Sequence, residues 1–191
     1  MGRPREFDDA QAVSAAMRTF WAKGYEATST QDLCEATGLG RGSLYNAFGG
    51  KQQLYEAALR HYADVEFQPV LDILDRPGPV KDRLRELMTW LIDADLQDPD
   101  RRGCLAINSA VDAAGRTDAV ADFARREFDR VEELFRDLIA AGQGSGELSA
   151  DRSPVQAARA LQSAYYGLRV LGKVRDRDAL LDVVEGVLST L

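Results

Sequence analysis

The chain has 191 residues, 45% of them hydrophobic and 29% charged, which excludes disorder and leaves room for one large domain or a small domain joined to a larger one. No apolar run is long enough to span a membrane, the N-terminal MGRPREFDD has no apolar signal core, and Glu6 stands where an N-myristoylation motif wants Ser or Thr, so a cytoplasmic protein is expected. Net charge is −7, but Met1 to Arg60 carries seven Lys/Arg and seven Asp/Glu, so the acidity lies beyond it, and a neutral N-terminal part can still dock on phosphates.

Helical periodicity runs through almost every segment and no alternating strand pattern appears, so the expected fold class is all-α. The first helix spans about Asp9 to Lys23, with Ala12, Val13, Ala16, Met17 and Phe20 as its apolar stripe and Gly24 as its stop. Ser29 or Thr28 caps a short helix that ends near Ala36, with Asp32 in its first turn. Gly38 ends it, a third short helix holds Arg41 to Phe48, and Gly49-Gly50 ends that. A long helix starts near Lys51, with Leu54, Ala58, Tyr62 and Val65 on one face and Pro69 kinking or shortening it. After the break at Arg76 to Pro79 comes a clear stripe of Val80, Leu84, Leu87, Met88, Leu91 and Ile92. A polar break at Asp98 to Gly103 precedes a shorter helix over Cys104 to Ala113, and another long helix starts near Thr117. GQGSGELSADRS, from Gly142, reads as a turn-rich connection. Two helices close the chain, Pro154 to about Gly172 and Asp178 to Leu191.

The stretch TGLGRGSLYNAFGGKQQLY, Thr37 to Tyr55, sets three glycines, Gly38, Gly40 and Gly42, around one Arg. Each glycine costs about 1 kcal/mol relative to Ala inside a helix, so bare backbone is needed here for another reason. Two short helices joined by a Gly-containing turn behind a first helix form a helix-turn-helix, whose second helix enters the DNA major groove. Leu44 and Phe48 then face inward onto Phe20 and Leu33, while Arg41, Ser43, Tyr45 and Asn46 point outward or sideways.

The run GYEATSTQDLCEATGLGRGSLYNAFGGKQQLY resembles the DNA-binding domain of the TetR family of transcriptional repressors, through Gly24-Tyr25, Thr28, Gly38-Leu39, Leu44-Tyr45, Phe48 and Lys51. The resemblance implies phosphate contacts from Thr28, Tyr45 and Lys51 and base-edge contacts from Arg41, Gly42 and Asn46, with Ser43 beside them. Gly40 replaces the usual Ser or Thr cap, Ala47 an aromatic or His, and Thr30 a Val or Ile. Arg3 and Arg5, in the basic arm GRPR, either enter a minor groove or belong to a disordered terminus. The division implied is a helix-turn-helix DNA-binding domain over residues 1–50 and a helical ligand-binding and dimerisation domain over 51–191. The function implied is that of a repressor, homodimeric on a palindromic operator and released by a small-molecule effector.

Beyond the motif, Trp90, Asn108, Gln162, Tyr165, Tyr166 and Arg169 are awkward polar or amphipathic groups on apolar helices, which suits a pocket with a few oriented polar groups. Trp90, Cys104, Asn108, Gln162 and Tyr165 are the candidate effector contacts. The apolar stripes of the last two helices offer Leu161, Leu168, Leu181, Val184 and Leu188 for a dimer seam. Of the two cysteines, Cys34 reads as a packing residue, while Cys104 follows Arg101-Arg102 at a helix start, where cations and the helix N-terminus favour thiolate. RRGCLAIN also resembles a segment of electrophile- and oxidant-sensing members of the family. An alternative is thus a thiol-based sensor acting through Cys104; another is a helical ligand-binding protein that does not bind DNA. His61, the one histidine, has Asp64 and Glu66 near it in sequence, which reads as a solvated face and not a metal site. No nucleophile–base–orienter set is visible, so neither an enzyme nor a cofactor is expected.

Overall fold

The computed structural model describes residues 9–112 and 118–191. Arg3, Arg5, Ala113 and Thr117 lie outside the described residues. Among those described, the order is α1 Asp9–Lys23, α2 Thr30–Thr37, α3 Arg41–Phe48, α4 Lys51–Leu74, α5 Val80–Gln97, α6 Leu105–Asp112, α7 Asp118–Ser145, α8 Pro154–Leu171 and α9 Arg177–Leu188, with no strand.

Helix α2 forms because both of its ends are closed. Ser29 is the cap of α2: its hydroxyl accepts the Asp32 N–H at 3.1 Å and the Asp32 carboxylate accepts the Ser29 N–H at 2.7 Å, a reciprocal box. The Lys23 ammonium at 2.6 Å, then the Ser29 hydroxyl and amide, hold the Asp32 carboxyl well below the usual range. Gly38 closes α2 in the left-handed region at φ +70°. Leu44 and Leu33 are fully buried with Phe20, Leu54 and Ala58, and Phe48 packs partly buried on the same cluster.

Helix α4 belongs to two cores. Leu54, Tyr55, Ala58, Leu59 and Tyr62 pack with α1, α2 and α3, and Phe67, Val70, Ile73 and Leu74 pack with α5, α7, α8 and α9. Pro69 does not shorten the helix, which continues to Leu74. The carbonyl that Pro69 cannot serve belongs to Val65, which is exposed, contrary to its place in the expected apolar stripe. The three residues buried after Pro69 hold the last turn down. Cys104, Leu105 and Ala106 join the first cluster, with Val120 and Phe123 of α7.

The connection expected from Gly142 is helical for one further turn. Helix α7 runs to Ser145 and ends in a Schellman motif: Glu147 N–H donates to the Gly142 carbonyl at 2.9 Å, Gly146 N–H donates to the Gln143 carbonyl at 3.1 Å, and Gly146 takes φ +79°. Leu148 folds back over Gly142, where a Cβ would sit 2.8 Å from its Cγ and Cδ1 and 3.2 Å from Val80 Cγ2. The pattern of glycines looks like loop, yet Gly142 is there to admit Leu148. Helix α8 starts with a second capping box, Ser153 with Gln156, and α9 starts on Asp176.

Gly142→Ala therefore tests packing against propensity. Alanine gains about 1 kcal/mol as a helix former, but pushing buried Leu148 aside costs about 1–3 kcal/mol. Urea titration should show net destabilisation; a raised midpoint would mean that Leu148 does not fill that space.

Candidate nucleic-acid interface and effector cavity

Helix α3 presents one polar face. Arg41, Gly42, Ser43 and Asn46 are exposed and Tyr45 is 41% exposed, while Leu44 between them is fully buried. The Arg41 guanidinium lies 5.9 Å from the Tyr45 ring centre, so charge and ring share the outer surface. Lys51, in the first turn of α4, holds its Nζ 4.3 Å over the Tyr25 ring and is part-exposed. Gly40 and Gly50, the N-caps of α3 and α4, provide no side-chain bond, which leaves first-turn amides of both helices for an anion.

Thr28 is placed differently from expectation. It is 0% exposed, and its hydroxyl donates to the Gly24 carbonyl at 2.6 Å. That bond fastens the turn between α1 and α2, so the hydroxyl is not turned to solvent where a phosphate would lie.

A second site lies between α4, α6, α7 and α8. Its volume is about 40 Å3, and Tyr62, Glu66, Cys104, Glu127, Tyr165 and Arg169 give it its polar lining. The Tyr62 hydroxyl donates to Cys104 Sγ at 3.5 Å and accepts the Leu105 N–H at 3.3 Å. Arg169, 8% exposed, forks onto Asp95, 7% exposed, through Nε–Oδ2 at 3.1 Å and Nη2–Oδ1 at 2.8 Å, and also donates to the Gly103 carbonyl at 3.1 Å. Burial by itself would lower the Arg169 pKa, but the facing Tyr62, Cys104, Tyr165 and Asp95 outweigh it and raise it, so the guanidinium stays charged. Burial pushes the Tyr165 hydroxyl up to about 12 and raises the Glu66 and Glu127 carboxyls. Glu66 is thus no part of a solvated face with His61: it is part-buried at the cavity wall.

Of the expected effector contacts, Cys104 and Tyr165 line this cavity. Trp90 packs against the second core, the Gln162 amide donates to the Phe128 carbonyl, and the Asn108 amide donates to the Arg102 carbonyl at 3.1 Å. Trp90 and Gln162 serve packing and a helix tie elsewhere, while Asn108 lines a separate cleft of about 320 Å3 with Trp21, Arg102 and Lys173. Tyr166 and Arg169, noticed as polar groups on an apolar helix, do reach the cavity. Tyr62, Glu66 and Glu127 were missed. Tyr62 keeps the 3.6-residue period of its helix, and nothing in the spacing of two glutamates marks them as half-buried.

The charges next to Cys104 in sequence are turned away from it. Arg101, at φ +45°, donates from Nη1 to the Gly172 carbonyl at 2.8 Å. Arg102 pairs with Asp98 at 2.9 Å and covers the Trp21 ring at 4.6 Å. The cation sharing the cavity with Cys104 is Arg169. Among the described residues no group of three or more His, Cys, Asp or Glu is placed to hold a metal ion, and no helix is long and apolar enough to cross a membrane.

The proposed seam residues are also placed by the fold. Leu161, Leu168, Val184 and Leu188 are buried in the protomer's own second core, and Leu181 packs partly buried against it. Their apolar stripe is used up within one chain. The outward faces of α8 and α9 instead carry Gly167 and Gly186, where a Cβ would meet nothing within 4 Å, and exposed Val170, with exposed Val174 just after α8.

Residues 12–58 match the family described as bacterial regulatory proteins, tetR family, and residues 80–187 match the tetracyclin repressor-like C-terminal domain. The HTH-type transcriptional regulator YezE of Bacillus subtilis is 34% identical over 194 aligned residues, covering 100% of both chains. The repressor BdcR of Escherichia coli is 36% identical over 106 residues, 56% of this chain and 54% of its own. Among solved structures, a cysteine mutant of the TetR family regulator CifR, in complex with 26-base-pair double-stranded operator DNA, superposes with a TM-score of 0.84 at 33% identity, covering 98% of each chain. With both halves of its length matched and a relative aligned from end to end, the chain belongs to the TetR family of bacterial transcriptional regulators.

Proposed function

We propose that this regulator represses transcription as a homodimer on a palindromic operator, with residues 1–50 reading DNA and residues 51–191 holding the effector site and the dimer seam. The observation that carries the reading is the outer face of α3: Arg41, Gly42, Ser43, Tyr45 and Asn46 stand exposed on a helix clamped from behind by Leu44. Arg41 and Asn46 are the base readers, since Arg on guanine and Asn on adenine are the common bidentate pairs. Tyr45, Lys51 and the uncapped amides of α3 and α4 hold phosphates. Two such heads on a two-fold axis meet successive major-groove faces about 34–36 Å apart, or multiples of that. Among the described residues no side-chain arrangement for turnover chemistry supports an enzyme, and a regulator of this kind works in the cytoplasm.

Arg41→Ala should lose about 1–3 kcal/mol of discrimination at one base position per half-site. Lys51→Ala should weaken all DNA alike and flatten the salt dependence. Titration of operator and scrambled duplexes at several salt concentrations separates the two. Equal loss on both duplexes for Arg41→Ala would remove it from base readout, and no binding of DNA flanking the protein's own gene would remove the repressor reading.

The seam lies on the outer face of α8 and α9, where Gly167 and Gly186 let a partner's backbone approach and Val170 and Val174 supply apolar area. Gly167→Arg with Val170→Glu should give monomers that remain helical and folded, because neither position serves the protomer's core. Analytical ultracentrifugation checks this; a dimer at micromolar concentration in the double variant would move the seam to another face.

The effector enters the cavity beside Cys104. Because the Cys104 thiol lines that cavity and accepts the Tyr62 hydroxyl, a thiol-reactive effector is a second reading. Operator release against iodoacetamide dose decides it: Cys104→Ser should bind the operator and fail to respond, and identical dose curves would leave a reversible ligand as the inducer.

A further inference from the structure

The carbonyl of Gly103 is shared. It accepts the Trp21 indole N–H of α1 at 3.1 Å and the Arg169 Nη2 of α8 at 3.1 Å. One donor belongs to the head and the other to the cavity. A carbonyl oxygen has two lone pairs, so the two bonds fill it. A shift of Gly103 toward one donor therefore lengthens its bond to the other. Gly103 takes φ +67°, and a Cβ there would meet the Arg169 carbonyl oxygen at 3.2 Å, so the 103 and 169 backbones are already in contact. The flanking residues are held as well. Arg102 covers the Trp21 ring at 4.6 Å while paired with Asp98, and Tyr62 meets the same ring edge-on at 5.0 Å. Tyr62 is also the residue whose hydroxyl donates to Cys104 Sγ and accepts the Leu105 N–H.

We propose that Trp21 is the positioning residue that couples the cavity to the DNA-reading head, through the Gly103 carbonyl it shares with Arg169. This rests on the effector occupying the cavity of Cys104 and Arg169. Tyr62, Cys104 and Arg169 are all in the lining of that cavity, and an occupant that displaces them acts on the segment before α6. Each of those is bonded to the 103–105 segment or belongs to it, so the carbonyl moves relative to α1. Trp21 stands two residues before the end of α1, and Lys23, the last, holds Asp32 of α2 at 2.6 Å. A pull on Trp21 thus reaches the end of α1 that fixes the start of α2, and α2 carries α3 through the Gly38 turn. The indole N–H transmits the pull; the rest of the ring is packing against Tyr62 and Arg102.

The test fills the cavity genetically and needs no known effector. Cys104→Met adds length into the space and keeps a sulfur for the Tyr62 hydroxyl. Trp21→Phe removes the N–H and keeps an aromatic edge for Tyr62. Hydrogen–deuterium exchange of residues 9–48 is measured in the full chain for the parent, each single variant and the double variant. Cys104→Met should speed exchange in the head by about 5-fold or more, the lower end of usual coupling factors, and by less than about twofold when Trp21 is Phe. Equal acceleration in both backgrounds, or none in either, overturns the proposal. Should Trp21→Phe fail to fold, the benzothiophene analogue of tryptophan keeps the bicyclic shape with sulfur in place of N–H, in a Trp90→Phe background, and the same comparison decides. Binding of DNA flanking the protein's own gene is read on the same proteins: the expected exchange pattern without DNA binding sinks the repressor reading and leaves the coupling in place.

Discussion

The constraint on which the rest depends is that α4 is one unbroken helix with a share in both hydrophobic cores. Its first half closes the head over Phe20, Leu33 and Leu44, and its second half is buried against α5, α7, α8 and α9. A helix of 24 residues transmits displacement along its axis because bending it means breaking i to i−4 bonds. Pro69 is the one place where such a bond is already missing, and it falls beyond Phe67, on the side of the second core. The stretch from Lys51 to Tyr62 is therefore free of that weakness. Tyr55 adds a cross-tie from the same stretch, its hydroxyl 2.9 Å from Ser109 Oγ of α6.

The polar groups inside the second core are consistent with this. A buried ion pair is weak evidence for stability, since desolvation offsets most of the attraction, but losing one partner costs about 3–5 kcal/mol. Asp95 and Arg169 tie α5 to α8, and the spare donor of Arg169 fixes the loop before α6. A leucine pair would pack these helices as well and would leave that loop untethered. The pair is better understood as a device that sets the position of Gly103 and Cys104 than as a source of folding energy.

The head was legible almost residue by residue, because each boundary in it is set by local chemistry: Gly24 and Gly38 in left-handed conformations, Asp32 beside its cap, Gly49 after Phe48. Thr28 was misplaced because the sequence does not show that its hydroxyl has a closer acceptor, the carbonyl of Gly24. The apolar stripes of α8 and α9 are buried as expected, within the protomer's own second core. Periodicity reports that Leu161 or Val184 faces something apolar, and the same pattern serves a protomer's own core or a second copy. Gly142 shows a different limit: composition marks GQGS as a turn, while the fold uses the missing Cβ for Leu148. The cavity was half legible. Arg169, Tyr165 and Tyr166 stood out as polar groups on an apolar face, but Glu66 and Glu127 come from α4 and α7, and only the packing of those helices brings them to one wall.

The cavity beside Cys104 is small in this conformation. At about 40 Å3 it holds at most a few waters, far less than the usual volume of a ligand site. On the proposed reading, in which the effector enters here, a ligand of ordinary size requires a conformation in which α4, α6, α7 and α8 stand further apart. Its affinity for that conformation over this one is all the free energy it has with which to move the head. Two features keep the closed conformation from being arbitrarily favourable. Glu66 and Glu127 sit half-buried at the wall, where burial raises their pKa and so disfavours their charged forms. Opening the wall rehydrates both carboxylates as well as admitting the ligand.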